Sequence, residues 1–528
     1  MTRALIAFIT VSSAAWCQTP VISSLVNSAS YQPTLGERNS VATIFGTHLA
    51  ASTATAQAVP LPLQLGGTSV TFYGVAAPLF YVSPTQINLL VPDGSLTGNG
   101  VIVATAAGTS PPYEPYTATP NTWNTGAIFT MDASGCGQGA VLNVAADGSL
   151  SVNSPTNSAS PGDWISIYGT GFGSYYASEI DSLINVPAPS NPPVGSLSGG
   201  GAQFDFLVYS GPGSGWAGLA PGFVGLEQDN AQIPSTVREG CAVPLQVPYD
   251  NGALAISQPV TIAIHQGGGA CVNPPSAGYG QITWQKTIST TGSNVVSETD
   301  TMTASLQASP GQQAPPAPAY NEGGLQGSQT LSGPACPVPG YLSLGAGTVT
   351  AQGPGLAPAQ VPIVPFQQGQ LGGLSAYQAT FPSGTIQPGN FTVTASGGAD
   401  VGAFQASVKV GADIQLQTPL AGVTVCSSTI KWTGGDPNSW VTIKFVQLSP
   451  PGYGSAEFVN FGAQARTSDG AALILLPDAA CGSAPEPIQI VIEVDPDPSE
   501  ITTFSASALS LGGRATWRYI HTFQAALE

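Results

Sequence analysis

Apolar and polar residues alternate along much of this chain in short runs that end at Gly, Pro, Ser or Asn. The stretch 63–92, LQLGGTSVTFYGVAAPLFYVSPTQINLLVP, shows the pattern most fully. Residues 41–45 form an apolar run ending at Gly46, a residue that tolerates positive φ. Residues 68–73 follow Gly66-Gly67, and residues 79–82 are closed by the turn pair Ser83-Pro84. In 86–91, Ile87, Leu89 and Val91 fall on one face, against Gln86, Asn88 and Leu90 on the other. Period-two alternation broken by frequent turns predicts an antiparallel β-sandwich. No window outside the N-terminus sustains a helical period.

The pattern is written twice. Thr43-Ile44-Phe45-Gly46-Thr47 returns as Ser166-Ile167-Tyr168-Gly169-Thr170, and the second half of the 63–92 stretch returns in degraded form as 220–234, APGFVGLEQDNAQIP. Two phrases repeated in the same order mark an internal duplication. In the second copy Asp229 replaces Ile87, and a carboxylate on a core face is costly unless paired. That strand is therefore expected either to shift register or to expose its face.

Composition strengthens the β reading. Of 528 residues only 7% are charged, where globular domains average roughly 25%, while Gly numbers 65 and Pro 47. Helical surfaces are normally built from Glu, Lys, Arg and Ala, so this mixture favours strands and turns. The net charge is −18 with ten basic residues, six of them from Lys409 onward and none clustered. Nucleic acid is excluded as a partner, because phosphate binding needs gathered Lys and Arg.

The first 17 residues read as a secretory signal, with Arg3 as the positive n-region, 4–15 as the apolar core and Ala15-Trp16-Cys17 as a cleavage site before Gln18. Lipidation of Cys17 is the rival reading, weakened by Trp16 where a small residue is needed. No later stretch is apolar for long enough to form a transmembrane helix. Six cysteines then remain in the mature chain, an even number that points to disulfides. Locality favours Cys241–Cys271 and Cys426–Cys481, which leaves Cys136–Cys336 by exclusion. No pair has CxxC spacing, which argues against zinc.

Gly-x-Thr after an apolar strand, then Leu-Gly-Gly, then Ser-Pro-Thr-Gln-Ile-Asn ending in Val-Pro, resembles the immunoglobulin-like TIG (IPT) fold. Asn27-Ser28-Ala29-Ser30-Tyr31, Ile44-Phe45-Gly46 and residues 77–88 resemble, more narrowly, the Solibacter-type C-terminal domain of acidobacterial secreted proteins. Pro161-Gly162, residues 167–171 and residues 220–226 match its second half. The resemblance covers residues 20–270. It implies an exported β-rich protein and supplies no catalytic residues. In that family the unit usually closes a longer chain, whereas here about half the chain follows it.

The expected organisation is all-β: tandem immunoglobulin-like, TIG-like sandwiches at 18–109 and 136–271, the second with an inserted loop at 174–201. A Pro-rich, aromatic linker at 110–135 joins them. A β-rich unit at 272–411 follows, opening on a long polar hairpin (280–289 and 294–308) turned at Thr291-Gly292. A last sandwich at 412–528 carries strands at 429–432, 440–447, 472–476, 488–494 and 515–523, with Trp432 and the preceding Cys426 giving an immunoglobulin-like core pattern.

The chain carries few residue patterns with known chemistry. His48, His265 and His521 lie in different units; there is no HExxH, no GxSxG and no phosphate loop. His48 stands where the second copy has Gly171, as a turn residue does. Asp495, Asp497 and Glu500, with Asp436, form the densest acidic group and are a candidate Ca²⁺ site. Tyr113, Tyr116 and Trp123 in the linker, or Tyr175, Tyr176 and Trp216 in the second sandwich, are candidate rings for stacking on sugars. The expected function is that of a non-catalytic exported protein, a surface, adhesive or matrix component meeting an extracellular protein or polysaccharide. A carbohydrate-binding array is the alternative, ahead of a secreted glycoside hydrolase.

Overall fold

The computed structural model describes residues 18–33, 35, 39–92, 100–114, 126–172, 185, 187, 202–205, 208–209, 215–250, 254–291, 294–311, 336, 339–365, 374–417, 427–447, 458–475 and 487–526. They form an all-β protein of largely antiparallel sheets, with two short 3₁₀ turns among the described residues. No helix among them is long and apolar enough to cross a membrane.

The first sandwich stacks two five-stranded sheets. One runs in the order Val21–Asn27, Val41–Thr47, Gln86–Leu90, Leu79–Val82, Ala54–Thr55, and the other centres on Thr68–Phe72 and Val101–Thr105. Alternation does the work: Ile44, Val70, Phe72, Ile87 and Leu89 are fully buried in one core. Leu90, on the opposite face from Ile87, is also fully buried, because it packs with Leu61 and with Val224 of the second repeat. His48 has φ 57° and its counterpart Gly171 has φ 81°, so both occupy the same left-handed turn, and His48 is exposed.

The second sandwich repeats the plan with a six-stranded and a four-stranded sheet. Its central strand Trp164–Thr170 pairs with Glu227–Gln232, placing Ile167 opposite Asp229 as Ile44 stands opposite Ile87. The expectation for Asp229 is corrected here. The register is unshifted and the residue is buried, 1% exposed, with an interaction partner of its own. A paired carboxylate can occupy a core position that an isolated one cannot.

The repeats are joined by more than a linker. The Val41 N–H donates to Thr170 Oγ1 at 2.9 Å, and Thr170 Oγ1 donates to the Gly225 carbonyl at 3.1 Å. A Cβ on Gly225 would lie 2.5 Å from Leu90 Cδ1, and its φ of +67° suits glycine. The second sandwich is tied to the rest by the Cys136–Cys336 disulfide and by Asp205, which accepts from Arg238 Nε at 2.9 Å and from the Tyr341 hydroxyl at 2.6 Å. Cys241–Cys271 closes a local loop. Both expected pairings among the described cysteines are present; Cys426 and Cys481 lie outside the described residues.

The long hairpin forms as expected, from Ser276–Thr291 and Asn294–Pro310. It is polar on one face only. Ile282, Trp284, Met302, Ala304 and Leu306 line the other and are buried. The C-terminal strand Gly513–Ala526 pairs in parallel with Ser276–Thr291, within a ten-stranded sheet that also takes in Trp440–Gln447, Phe458–Arg466 and Pro487–Asp495. A four-stranded sheet (Val349–Gly353, Leu356–Val361, Gly389–Ala395 and Phe404–Val410) and a three-stranded one (Ile414–Leu416, Ser427–Gly434 and Ala471–Leu475) complete this region. One core runs through it, with Trp284, Phe391, Trp432, Trp517 and Tyr519 buried together. Stretches 272–411 and 412–528, read from the sequence as separate units, thus share a sheet and a core.

Candidate functional site

The outward face of the ten-stranded sheet holds a cavity of about 390 Å³. Strand alternation builds its floor. With Gly280, Ile282 and Trp284 turned inward, Tyr279, Gln281, Thr283 and Gln285 must point outward, and Thr301 and Thr303 do so on the neighbouring strand. Register then sets these residues in cross-strand rows. One row runs Gln378, Thr303, Thr283, Thr516; the next runs from Thr301 through Gln285 to Arg518; a third pairs Gln281 with Arg514. Asp495, Pro496 and Ile501 form the rim at the end of the strand Pro487–Asp495. The lining is amides, hydroxyls, a phenol, two guanidinium groups and one carboxylate, with the apolar side chains of Pro496 and Ile501 at the rim.

The electrostatics are settled by arginine. Arg518 Nε donates to Asp495 Oδ1 at 2.6 Å, and its Nη1 lies 3.9 Å from Glu493, which Lys444 also pairs at 2.7 Å. Burial raises the Tyr279 phenol, and the positive charge of Arg514 works against that rise.

The acidic group expected to hold Ca²⁺ is split between different partners. Asp495 belongs to Arg518. Asp497 accepts from the Ser499 hydroxyl at 2.6 Å and pairs with Arg466 at 2.5 Å, and these bonds lower its carboxyl to about 2. Arg466 in turn stacks over Trp440, 4.0 Å from the ring centre. Burial raises the Glu500 carboxyl, and the nearby Asp436 charge adds to the rise. Among the described residues no three His, Cys, Asp or Glu side chains are grouped to hold a metal ion.

Of the expected stacking rings, Tyr113 is half-buried against the first core, its backbone bridged to Val101. Trp216 is half-buried on the outer face of the second sandwich, paired with Asn230. Tyr116, Trp123, Tyr175 and Tyr176, with most of the 174–201 loop, lie outside the described residues. The structure does not bring Tyr113 and Trp216 to one surface with the cavity.

Sequence reading passed over a feature repeated in both sandwiches. Gln86 Nε2 donates to Asn88 Oδ1 at 2.8 Å and Thr43 Oγ1 to the same atom at 3.2 Å; Gln228 and Ser166 do the same for Asn230, at 2.8 Å each. The signal was present in the text as Gln-x-Asn in both copies. In the second copy Trp164, 40% exposed, stands on the same face. The histidines are each accounted for locally: His265 by Glu239 at 2.6 Å and His521 by Asp413 at 3.0 Å, with Phe523 stacked beside it.

No family model matches the chain, and no curated protein matches it. Among solved structures it is similar to the Fcho1 Mu homology domain of Danio rerio with bound Eps15 peptide, at 11% identity, covering 48% of this chain and 98% of that one, with a TM-score of 0.16. It is also similar to the Bacteroides ovatus mixed-linkage glucan utilization locus protein SGBP-B in complex with a mixed-linkage heptasaccharide, at 9% identity, covering 87% and 92%, with a TM-score of 0.12. At these TM-scores neither likeness carries an argument for fold or function.

Proposed function

We propose that this is an exported, non-catalytic surface or matrix protein that attaches by holding carbohydrate on the outward face of its ten-stranded sheet. The observation that carries this reading is the cavity lining. Hydroxyls of Thr283, Thr301, Thr303 and Thr516 and amides of Gln281, Gln285 and Gln378 supply donors and acceptors in register, beside the ring of Tyr279. Such donors and acceptors match the hydroxyls of a sugar. Its volume of about 390 Å³ lies within the range of small-ligand sites. Export is supported by the N-terminal signal pattern, the resemblance to secreted acidobacterial units and two disulfides, which persist in oxidising compartments.

Hydrolysis fits the cavity less well. A glycosidase needs two carboxyl groups flanking the scissile bond, and among the lining residues Asp495 is the one carboxylate, already engaged by Arg518. Screening the full chain on a glycan array tests the reading. Binding to a defined set of glycans, with no cleavage product, is the expected result; no binding to any immobilised glycan counts against it.

A further inference from the structure

The long hairpin also carries ionisable groups on its inward face, behind the cavity floor that Gln285 and Thr301 help to form. Alternation from buried Trp284 turns Lys286 inward, and alternation from buried Met302 turns Asp300 and Glu298 the same way. Lys286 stands directly opposite Asp300 across the hairpin, so their Cβ atoms lie about 5 Å apart. Phe381 and Tyr519 extend that row on either side, and Trp284 stacks on Phe381 at 5.8 Å. Lys286 is largely buried, with its Nζ 3.0 Å from Glu298 Oε1. Asp300 is fully buried. Its Oδ2 accepts from the Ile386 N–H at 2.9 Å, while Oδ1 has no hydrogen-bond partner among the described residues. The Gly384 N–H donates to Glu298 Oε1 at 2.8 Å, so one turn, residues 382–386, holds both carboxyls.

A buried carboxyl with an unpaired oxygen is costly to keep, and condensing it with the opposing amine removes it. The two acids also differ in the way such a condensation requires. Burial pushes the Asp300 carboxyl up, against the Ile386 N–H and the Lys286 charge. The hydrogen bond from Lys286 holds the Glu298 carboxyl down. Asp300 is therefore the acid more readily kept neutral, as an electrophile must be, and Glu298 the one kept ionised, as a base must be. We propose that Lys286 and Asp300 are joined by an intramolecular amide bond that the folded hairpin makes for itself, with Glu298 as the base. The Lys286 ammonium gives one proton to Glu298, and the freed amine attacks Asp300 Cγ, forming the C–N bond. The Ile386 N–H donates to the oxygen on which negative charge develops. The Cγ–OH bond then breaks, and the hydroxyl leaves as water with the second proton shed by the nitrogen. No oxidant or further reactant is consumed. The product pins the two strands beneath the cavity floor, and it forms whether or not that cavity holds carbohydrate.

The experiment is high-resolution mass spectrometry of the folded full chain, its disulfides reduced just before measurement, beside Lys286→Arg and Glu298→Gln. The expected wild-type mass is one water below that of its sequence counted from the observed N-terminus. Fragmentation of a digest should recover residues 286 and 300 in one branched peptide. Lys286→Arg keeps the positive charge and cannot form this amide, so it should carry its full mass, as should Glu298→Gln. A melting temperature below that of the wild type should accompany the missing bond in Lys286→Arg, since a cross-link restricts the unfolded chain. A wild-type chain at its full sequence mass overturns the proposal outright. A missing water that maps to residues other than Lys286 and Asp300 overturns it equally. A branched peptide that persists in Glu298→Gln overturns the role of Glu298 as the base.

Discussion

Single residues show where a sequence pattern holds and where chemistry overrides it. His48 was legible as a turn residue because its counterpart is Gly171, and both adopt left-handed backbone. Asp229 was not legible: the sequence shows a carboxylate in a core register and hides the partner that lets it stay there, 1% exposed and unshifted. Asp497 belongs to the candidate calcium group of the sequence, and its partner Arg466, 31 residues away along the chain, leaves no local signal there. Its carboxyl is lowered to about 2, first by the Ser499 hydroxyl and then by Arg466. A folded-state value below the unfolded one gives stability that is complete above the unfolded value near 4 and lost as pH falls toward 2. Solvent screening of this accessible pair reduces the effect, so Asp497→Asn is expected to cost at most about 1 kcal/mol at pH 6 and much less at pH 2. Thermal melts of both proteins across that interval check this: the two curves should converge on acidification, and parallel curves would contradict the assignment.

At the level of strands, most of what alternates was readable. The strands at 440–447 and 79–82 have the expected bounds, and the long hairpin formed, its last described pair being Thr291 with Asn294. Strands with mixed or small side chains, such as Leu356–Val361, Ser375–Phe381 and Phe458–Arg466, gave no clear alternation and were missed. The hairpin also shows why the cavity escaped notice. Thr and Gln at alternate positions look like ordinary solvated residues until the parallel pairing with Gly513–Ala526 brings Thr516 and two arginines alongside them. Pairing between strands so distant in sequence has no local signal. The contact between repeats yields a test at this scale. Gly225→Ala adds a methyl 2.5 Å from buried Leu90 in a backbone conformation unsuited to alanine. It should lower stability by about 1–3 kcal/mol. Gly222→Ala, where a Cβ would meet open space at a φ of +81°, should carry only the backbone part of that cost; equal losses in chemical denaturation would show that the repeats do not pack through Gly225.

Across the whole molecule, the duplication accounts for the first half, and a shared sheet and core unite the second. The two halves are held by Cys136–Cys336, which joins residues 200 apart, and by the Asp205, Arg238 and Tyr341 cluster. Closing so long a loop restricts the unfolded chain more than the 30-residue separation of Cys241–Cys271 does. In calorimetry, Cys136→Ser with Cys336→Ser should lose up to about 5 kcal/mol, and the Cys241 and Cys271 pair of serines about 3–4 kcal/mol. A larger loss from the shorter loop would indicate that native packing, not chain entropy, dominates. The central claim of the proposed function is that carbohydrate occupies the cavity on the ten-stranded sheet. The most direct measurement compares the wild-type chain with Thr516→Trp, which fills that cavity from its floor, in affinity gels of the polysaccharides the glycan array identifies. The account predicts retardation of the wild type and free migration of the variant at unchanged melting temperature; equal retardation of the two would place binding elsewhere and contradict it.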